Sequence, residues 1–215
     1  MLHPSFNFEL IGAGKKFFRN WIFKDISFRL DVAEKVAVIG RNGSGKSTLL
    51  QIISGYESLT SGNIHYYADE KEIDRKRIFN HIAIAAPYLE LIEEFTLKEI
   101  IRFHFQFKKP ARNHSTDDVL SLMQLEGAMD KVFKYFSSGM KQRTKLGLAI
   151  LSDVDLILLD EPLSNLDKSG EKWYQLLVED YLKDKSVVVC SNQNETEYSF
   201  CTKNILVSDF QSRQP

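Results

Sequence analysis

The 215-residue sequence predicts an α/β fold around a mostly parallel sheet, and three observations carry that reading. Residues 36–39, V-A-V-I, form a short apolar β-branched run, the pattern of a strand buried on both faces. A glycine-rich loop and then an apolar helical run, T-L-L-Q-I-I, follow it at once. Far downstream, residues 155–162 read D-L-I-L-L-D-E-P, an apolar strand closing on two acids. Parallel α/β sheets hold their ligands at that end of their strands.

The remaining elements follow in order. Residues 5–30 read as two strands joined by a turn, with Phe6, Phe8 and Leu10 alternating before K-K-F-F-R-N-W and Ile22, Ile26, Phe28 and Leu30 after it. The joining segment is either a solvated turn with ordinary aromatic packing or a place where Phe17 stacks on a nucleotide base. Turn-rich residues 54–63 lead to a strand near 64–67, and charged residues 69–80 predict a loop with a short helix. Residues 82–86, ended by Pro87, predict a second central strand. Helical periodicity then sets in from 96 to 129, with Leu97, Ile100, Ile101, Phe103 and Phe107 on one face and a second amphipathic helix at 117–125. Phe103, Phe105 and Phe107 read as core of a small helical unit in preference to a partner groove. Serines and a glycine precede a long helix within 135–151; a further helix at 172–183 and strands at 187–190 and 205–207 complete the chain.

The loop after the first buried strand has the spacing G-x-x-x-x-G-K-S. Gly40, Gly43 and Gly45 allow backbone conformations that aim successive N–H groups into one concavity, with Arg41, Asn42 and Ser44 between them. Lys46 adds a charge for β- and γ-phosphate oxygens, the Ser47 hydroxyl can ligate Mg²⁺, and Thr48 continues into a helix whose positive end faces the phosphates. Asp160 is placed to orient the Mg²⁺ shell and Glu161 to polarise an attacking water.

Composition removes several classes. An apolar content of 43% supports a substantial core. A net charge of −1 and pI near 6.5 provide no basic field for nucleic acid, so no nucleic-acid partner is expected. Cys190 and Cys201 are too few for a disulfide framework and fit a reducing compartment, with Cys190 inert in a strand. M-L-H-P-S-F-N-F-E lacks the basic and apolar regions of a signal peptide. No run reaches the ~18 apolar residues of a spanning helix, so any work at a membrane is expected to go through a partner.

Together these segments resemble the ATP-binding subunit of ATP-binding-cassette (ABC) transporters over essentially the whole chain. G-R-N-G-S-G-K-S-T is similar to the family's Walker A motif, L-I-L-L-D-E to Walker B, and S-N-L-D at 164–167 to the D-loop. F-S-S-G-M-K-Q-R at 136–143 resembles the signature segment L-S-G-G-Q, which other P-loop folds lack. The resemblance implies one domain over residues 1–215: a P-loop NTPase with a RecA-like, mostly parallel sheet core, a small antiparallel β subdomain and an inserted α-helical subdomain near 88–150. It implies ATP and Mg²⁺ held by residues 40–48 and Asp160, with Ser137 and Gly139 of a facing subunit presented to the γ-phosphate. Glu161 would act as base, and Phe17 gains weight as the aromatic on adenine. Implied partners are transmembrane permease subunits and a second ATP-binding subunit, identical or different, at the inner face of the cell membrane. The acids at 90–94, with Tyr88 and Leu89, fall where the family meets its membrane subunit.

Three departures accompany the likeness. Pro87 stands where the family has a glutamine, and no glutamine occurs between Gln51 and Gln106. Asn192 stands for the switch histidine; it can hydrogen-bond a γ-phosphate oxygen but cannot shuttle a proton. Ser138 and Met140 replace a glycine and a glutamine of the signature. The expectation is intact nucleotide binding with slowed hydrolysis, Glu161 arguing against an inactive site. The missing glutamine and histidine also favour the alternative of an ATP-dependent dimerising clamp that regulates a partner with little turnover. A soluble nucleotide kinase is disfavoured by the signature and D-loop segments, and DNA-repair or translation relatives by the lack of a coiled-coil insertion.

Overall fold

The structure, a computed structural model, describes residues 6–210. Ser5 and the first residues of the segment read for targeting lie outside them. In chain order the strands are β1 (Phe6–Phe17), β2 (Asn20–Leu30), β3 (Lys35–Ile39), β4 (Ser61–Ala68) and β5 (Lys71–Ile73). There follow β6 (Ile82–Ala85), β7 (Leu156–Asp160), β8 (Ser186–Ser191) and β9 (Lys203–Leu206). The helices are α1 (Lys46–Ile53), α2 (Leu97–Phe107), α3 (Thr116–Leu122), α4 (Ser138–Ile150), α5 (Lys168–Tyr181) and α6 (Glu195–Tyr198).

Two sheets result. An antiparallel one has the order β2-β1-β4-β5, and a parallel one the order β6-β7-β8-β3-β9. The strands that read as continuous apolar runs, β7 and β8, are buried at every position, because both faces of the parallel sheet are covered. Period-two alternation divides them between two cores. Leu156, Leu158 and Val188 pack with Val38, Leu50, Phe8 and Phe23 under the antiparallel sheet. Ile157, Leu159, Val187 and Val189 pack with Ile101, Leu146, Leu148 and Trp173 of α2, α4 and α5. Each such fully buried side chain contributes about 1.5–3 kcal/mol.

Local signals agree with this layering. Thr96 with Glu99 and Ser115 with Asp118 form capping boxes that start α2 and α3, while Ser137 and Asp167 cap α4 and α5. The Tyr66 hydroxyl donates to the Ile52 and Ile53 carbonyls, 3.1 Å each, closing the end of α1.

Four details differ from the sequence reading. The run 82–86 forms β6, which is an edge strand; α4 covers it, so its apolar character reflects helix packing and not a second neighbour. The charged stretch 69–80 contains β5, whose exposed Lys71 and Glu72 suit the free edge of the antiparallel sheet. On α2, Leu97, Ile100 and Ile101 are buried, but Phe103 and Phe107 are 43% and 71% exposed. Phe95, Phe103 and Phe107 instead stack edge-on along the surface, 5.9 and 5.2 Å between centroids. Finally, the four-residue α6 is too short to leave a periodic signal.

Candidate functional site

The parallel register places the chemistry. Ile39 pairs with Ser191 and Asp160 with Cys190, so the loop after β3, the acid ending β7 and the end of β8 share one sheet edge. The Gly40 N–H donates to the Ser191 carbonyl, 3.3 Å, tying the loop to β8. Gly45 takes φ +103°, and a Cβ there would lie 2.4 Å from Ile22 Cγ2; only glycine fits. Among the described residues no side chain caps the start of α1, which leaves its first N–H groups free of a side-chain acceptor, an arrangement suited to anions. The loop cavity, about 260 Å³, is lined by Ile22, by Asn42, Gly43 and residues 45–48 of the loop, and by Glu161.

Lys46 is 4% exposed. Its ammonium donates to the carbonyls of Gly40 and Arg41, at 2.9 and 3.2 Å, and stands 3.9 Å from Glu161 Oε1. Asp160 is buried, and among the described residues neither carboxylate oxygen has a hydrogen bond of good geometry. Burial pushes its pKa above the ordinary value, as does Glu161, while the nearby Ser47 hydroxyl and Lys46 pull the other way. A buried carboxylate with unmatched lone pairs beside a hydroxyl is an oxygen-only donor set, which fits a hard cation such as Mg²⁺. Glu161 adopts φ 45°, a conformation costing a non-glycine residue about 1–3 kcal/mol. Its N–H donates to the Cys190 carbonyl at 2.9 Å and its carbonyl accepts the Ser164 N–H at 3.0 Å. Those two bonds hold the turn.

The signature segment lies elsewhere. Ser137 Oγ accepts the Met140 N–H, 3.2 Å, at the start of α4, and Gly139 faces the Asn165 carbonyl so closely that a Cβ would sit 3.1 Å from it. Ser137, Ser138 and Gly139 join Asn165, Leu166 and Asp167 in lining a second depression of about 520 Å³. No residue is shared between the two linings. Phe17 ends β1, 42% exposed, with the Lys15 ammonium 4.8 Å above its ring; it does not line the loop cavity, where Ile22 stands instead. Asn192 is exposed just beyond β8.

Several participants were not legible as site residues in the sequence. Lys145 reaches from α4 to the carbonyls of Ala86 and Pro87, 3.2 and 3.0 Å, pinning the turn after β6 that the Leu89 N–H closes onto Ala86. Tyr88 on that turn lies near Gln51 of α1, and burial together with the charge of Asp160 raises its pKa. Glu197 is a buried carboxylate behind the Asp160–Glu161 pair. No motif marks Lys145 or Glu197, and the sequence places Tyr88 only in the segment where the family meets its membrane subunit, because each arrives from a separate turn or helix.

The fold and the loop define a P-loop nucleoside-triphosphate-binding domain. The chain belongs to the ABC transporter family, whose model matches residues 23–164. It is 30% identical to the Fe(3+) ions import ATP-binding protein of Fusobacterium nucleatum over 76% of this chain and 44% of that protein. It is 32% identical to the sulfate/thiosulfate import ATP-binding protein of Escherichia coli over 87% of this chain and 54% of that one. The chain thus spans about half the length of the curated relatives it matches. A dimeric ATP-binding cassette solved with ADP and Pi shares the fold, with TM-score 0.79 and 22% identity over 95% of this chain and 94% of that one. Among the described residues no helix is long and apolar enough to cross a membrane.

Proposed function

We propose that this chain is the ATP-binding subunit of an ABC transporter, hydrolysing Mg-ATP at a head-to-tail interface with a second ATP-binding subunit to drive separate membrane subunits. One observation carries the reading: the phosphate-loop cavity and the Ser137–Asn165 depression are separate surfaces of one chain. A facing copy would bring the second onto the first. The dimeric cassette with ADP and Pi and the import roles of the two relatives support the assembly and the inward direction.

In this scheme the loop N–H groups and Lys46 bind the phosphates, Lys46 leaving the Gly40 and Arg41 carbonyls to do so. Ser47 and Asp160 would hold Mg²⁺, which neutralises charge on the β- and γ-phosphate oxygens when bound. Glu161 polarises the attacking water, and Asn192 hydrogen-bonds a γ-phosphate oxygen. Ser137 and the start of α4 in the facing subunit present a hydroxyl and a positive helix end to the γ-phosphate. Phe17 offers its exposed ring to adenine. The membrane subunits would dock where Glu90, Glu93 and Glu94 border a depression of about 540 Å³, beside the exposed Phe103 and Phe107. Lys145 links that loop to α4, the helix the facing nucleotide would engage.

Phosphate release from Mg-ATP, followed against protein concentration with Glu161→Gln alongside, tests this. Turnover rising faster than linearly and vanishing in the variant is the expected result. Silence in both, alone and with membrane subunits, would overturn hydrolysis and leave a binding clamp.

A further inference from the structure

Glu197 is 4% exposed on α6, and the scheme above gives its carboxylate no task. Oε1 accepts the Leu163 N–H at 3.1 Å, and Oε2 accepts the Ser191 hydroxyl at 2.5 Å. Both donors occupy telling positions. Leu163 lies two residues beyond Glu161 and begins the turn whose Leu166 N–H returns to its own carbonyl at 3.1 Å. Ser191 ends β8, immediately before Asn192, and its carbonyl receives the Gly40 N–H. One side chain therefore ties the segment after Glu161 to the end of β8, the strand onto which the first N–H of the phosphate loop bonds.

The neighbouring bonds lock the same region. Gln142 of α4 donates to the Pro162 carbonyl at 2.8 Å, and the Tyr174 hydroxyl donates to Glu197's own carbonyl at 2.9 Å, fixing α6 on α5. The Glu161 N–H is bonded to Cys190, the residue before Ser191. A left-handed glutamate persists only where its surroundings over-determine it. Here that means the segments on both sides of its peptide must keep their place on β8.

We propose that Glu197 is a positioning residue for hydrolysis: its two hydrogen bonds hold the left-handed turn at Glu161 against the end of β8, so that Glu161 faces Lys46 and the phosphate loop. The proposal rests on the ATPase reading above. It differs from a plain packing role in requiring hydrogen-bonding capacity at position 197 and not merely volume. Glutamine supplies that capacity: it keeps an acceptor for the Leu163 N–H, and its amide can donate to Ser191 Oγ once that hydroxyl turns to the Asn194 carbonyl, 3.3 Å away. Methionine fills similar space but offers neither an acceptor to the Leu163 N–H nor a bond to Ser191, whose hydroxyl is left with the Asn194 carbonyl.

The test compares wild type, Glu197→Gln, Glu197→Met and Ser191→Ala for kcat, KM and Mg-ATP affinity. A buried donor left unmatched predicts roughly a tenfold loss of kcat in Glu197→Met, with KM and affinity unchanged. Glu197→Gln should stay close to wild type, and Ser191→Ala should fall between. Unchanged kcat in Glu197→Met, a loss in Glu197→Gln as deep as in Glu197→Met, or affinity falling in step with kcat would overturn the proposal. If Glu197→Met does not fold, Ser191→Ala decides, an unchanged kcat there overturning it. If wild type shows no turnover, the ATPase reading fails by itself. Amide exchange at Glu161 and Leu163 then replaces kcat as the readout: faster in Glu197→Met but not Glu197→Gln is expected, and equal protection in both overturns the contact.

Discussion

Lys46 Nζ and Glu161 Oε1 stand 3.9 Å apart, one almost wholly buried and the other with a third of its side chain exposed. At that distance and exposure the pair adds little to stability. Its consequence is placement: a buried cation already satisfied by two carbonyls faces an acid that reaches the same cavity from the end of another strand.

Glu161→Gln should keep Mg-ATP affinity and lower turnover by roughly 10²–10⁴-fold, the range for removing a general base. Lys46→Ala should lose nucleotide binding itself. Equilibrium binding of a fluorescent ATP analogue beside phosphate release separates the two effects.

Glu161→Gly should also abolish turnover yet melt higher than wild type, because glycine relieves the φ of 45°. The gain is about 1 kcal/mol. Calorimetry at neutral pH reads it, and a lower melting temperature would refute strain at this turn.

Gly45→Ala and Gly43→Ala should differ. Both sites have positive φ, but only at Gly45 would the new Cβ meet Ile22, at 2.4 Å; at Gly43 nothing lies within 4 Å. Gly45→Ala is expected to lose at least ~10-fold in ATP affinity and Gly43→Ala less, since strain of about 1–3 kcal/mol acts alone there. Titration calorimetry with ATP checks the order.

Asn192→His should raise turnover, since an imidazole at the exposed end of β8 can exchange a proton where an amide cannot. Steady-state phosphate release decides it; no change or a loss would count against the account of slowed hydrolysis.

His104 sets an acid limit on stability. Burial, with Lys108 assisting, lowers its pKa to about 4, and its Nε2 meets Ser152 Oγ at 2.9 Å. The unfolded chain therefore binds more protons than the folded one between the ordinary histidine pKa of about 6.5 and 4. Stability is fully present above 6.5 and falls as pH drops through that window, by on the order of 3 kcal/mol. Melting curves from pH 7.5 to 4.5 should show a shallower fall in His104→Gln than in wild type.

Much of the site was legible because its chemistry is local. The loop from Gly40 to Thr48 needs glycines at fixed offsets, and the Asp160–Glu161 pair needs only the end of one apolar strand. The edge position of β6 was not legible, because an apolar run buried by helices reads like one buried by strands. The exposure of Phe103 and Phe107 was hidden for a related reason: periodicity marks a face without saying where the neighbouring core ends.

The sequence by itself determined the class of fold and the spacing of the phosphate-loop motif, both written in short stretches that backbone geometry reads directly. Tertiary structure alone decided which remote groups support that chemistry. The Lys145–Pro87, Tyr88–Gln51 and Glu197–Leu163 pairs meet only after the sheet has set its strand order. Contacts between residues 34 to 58 positions apart leave no local pattern, since each partner is chosen by packing and hydrogen bonding across elements and not by its neighbours in the chain.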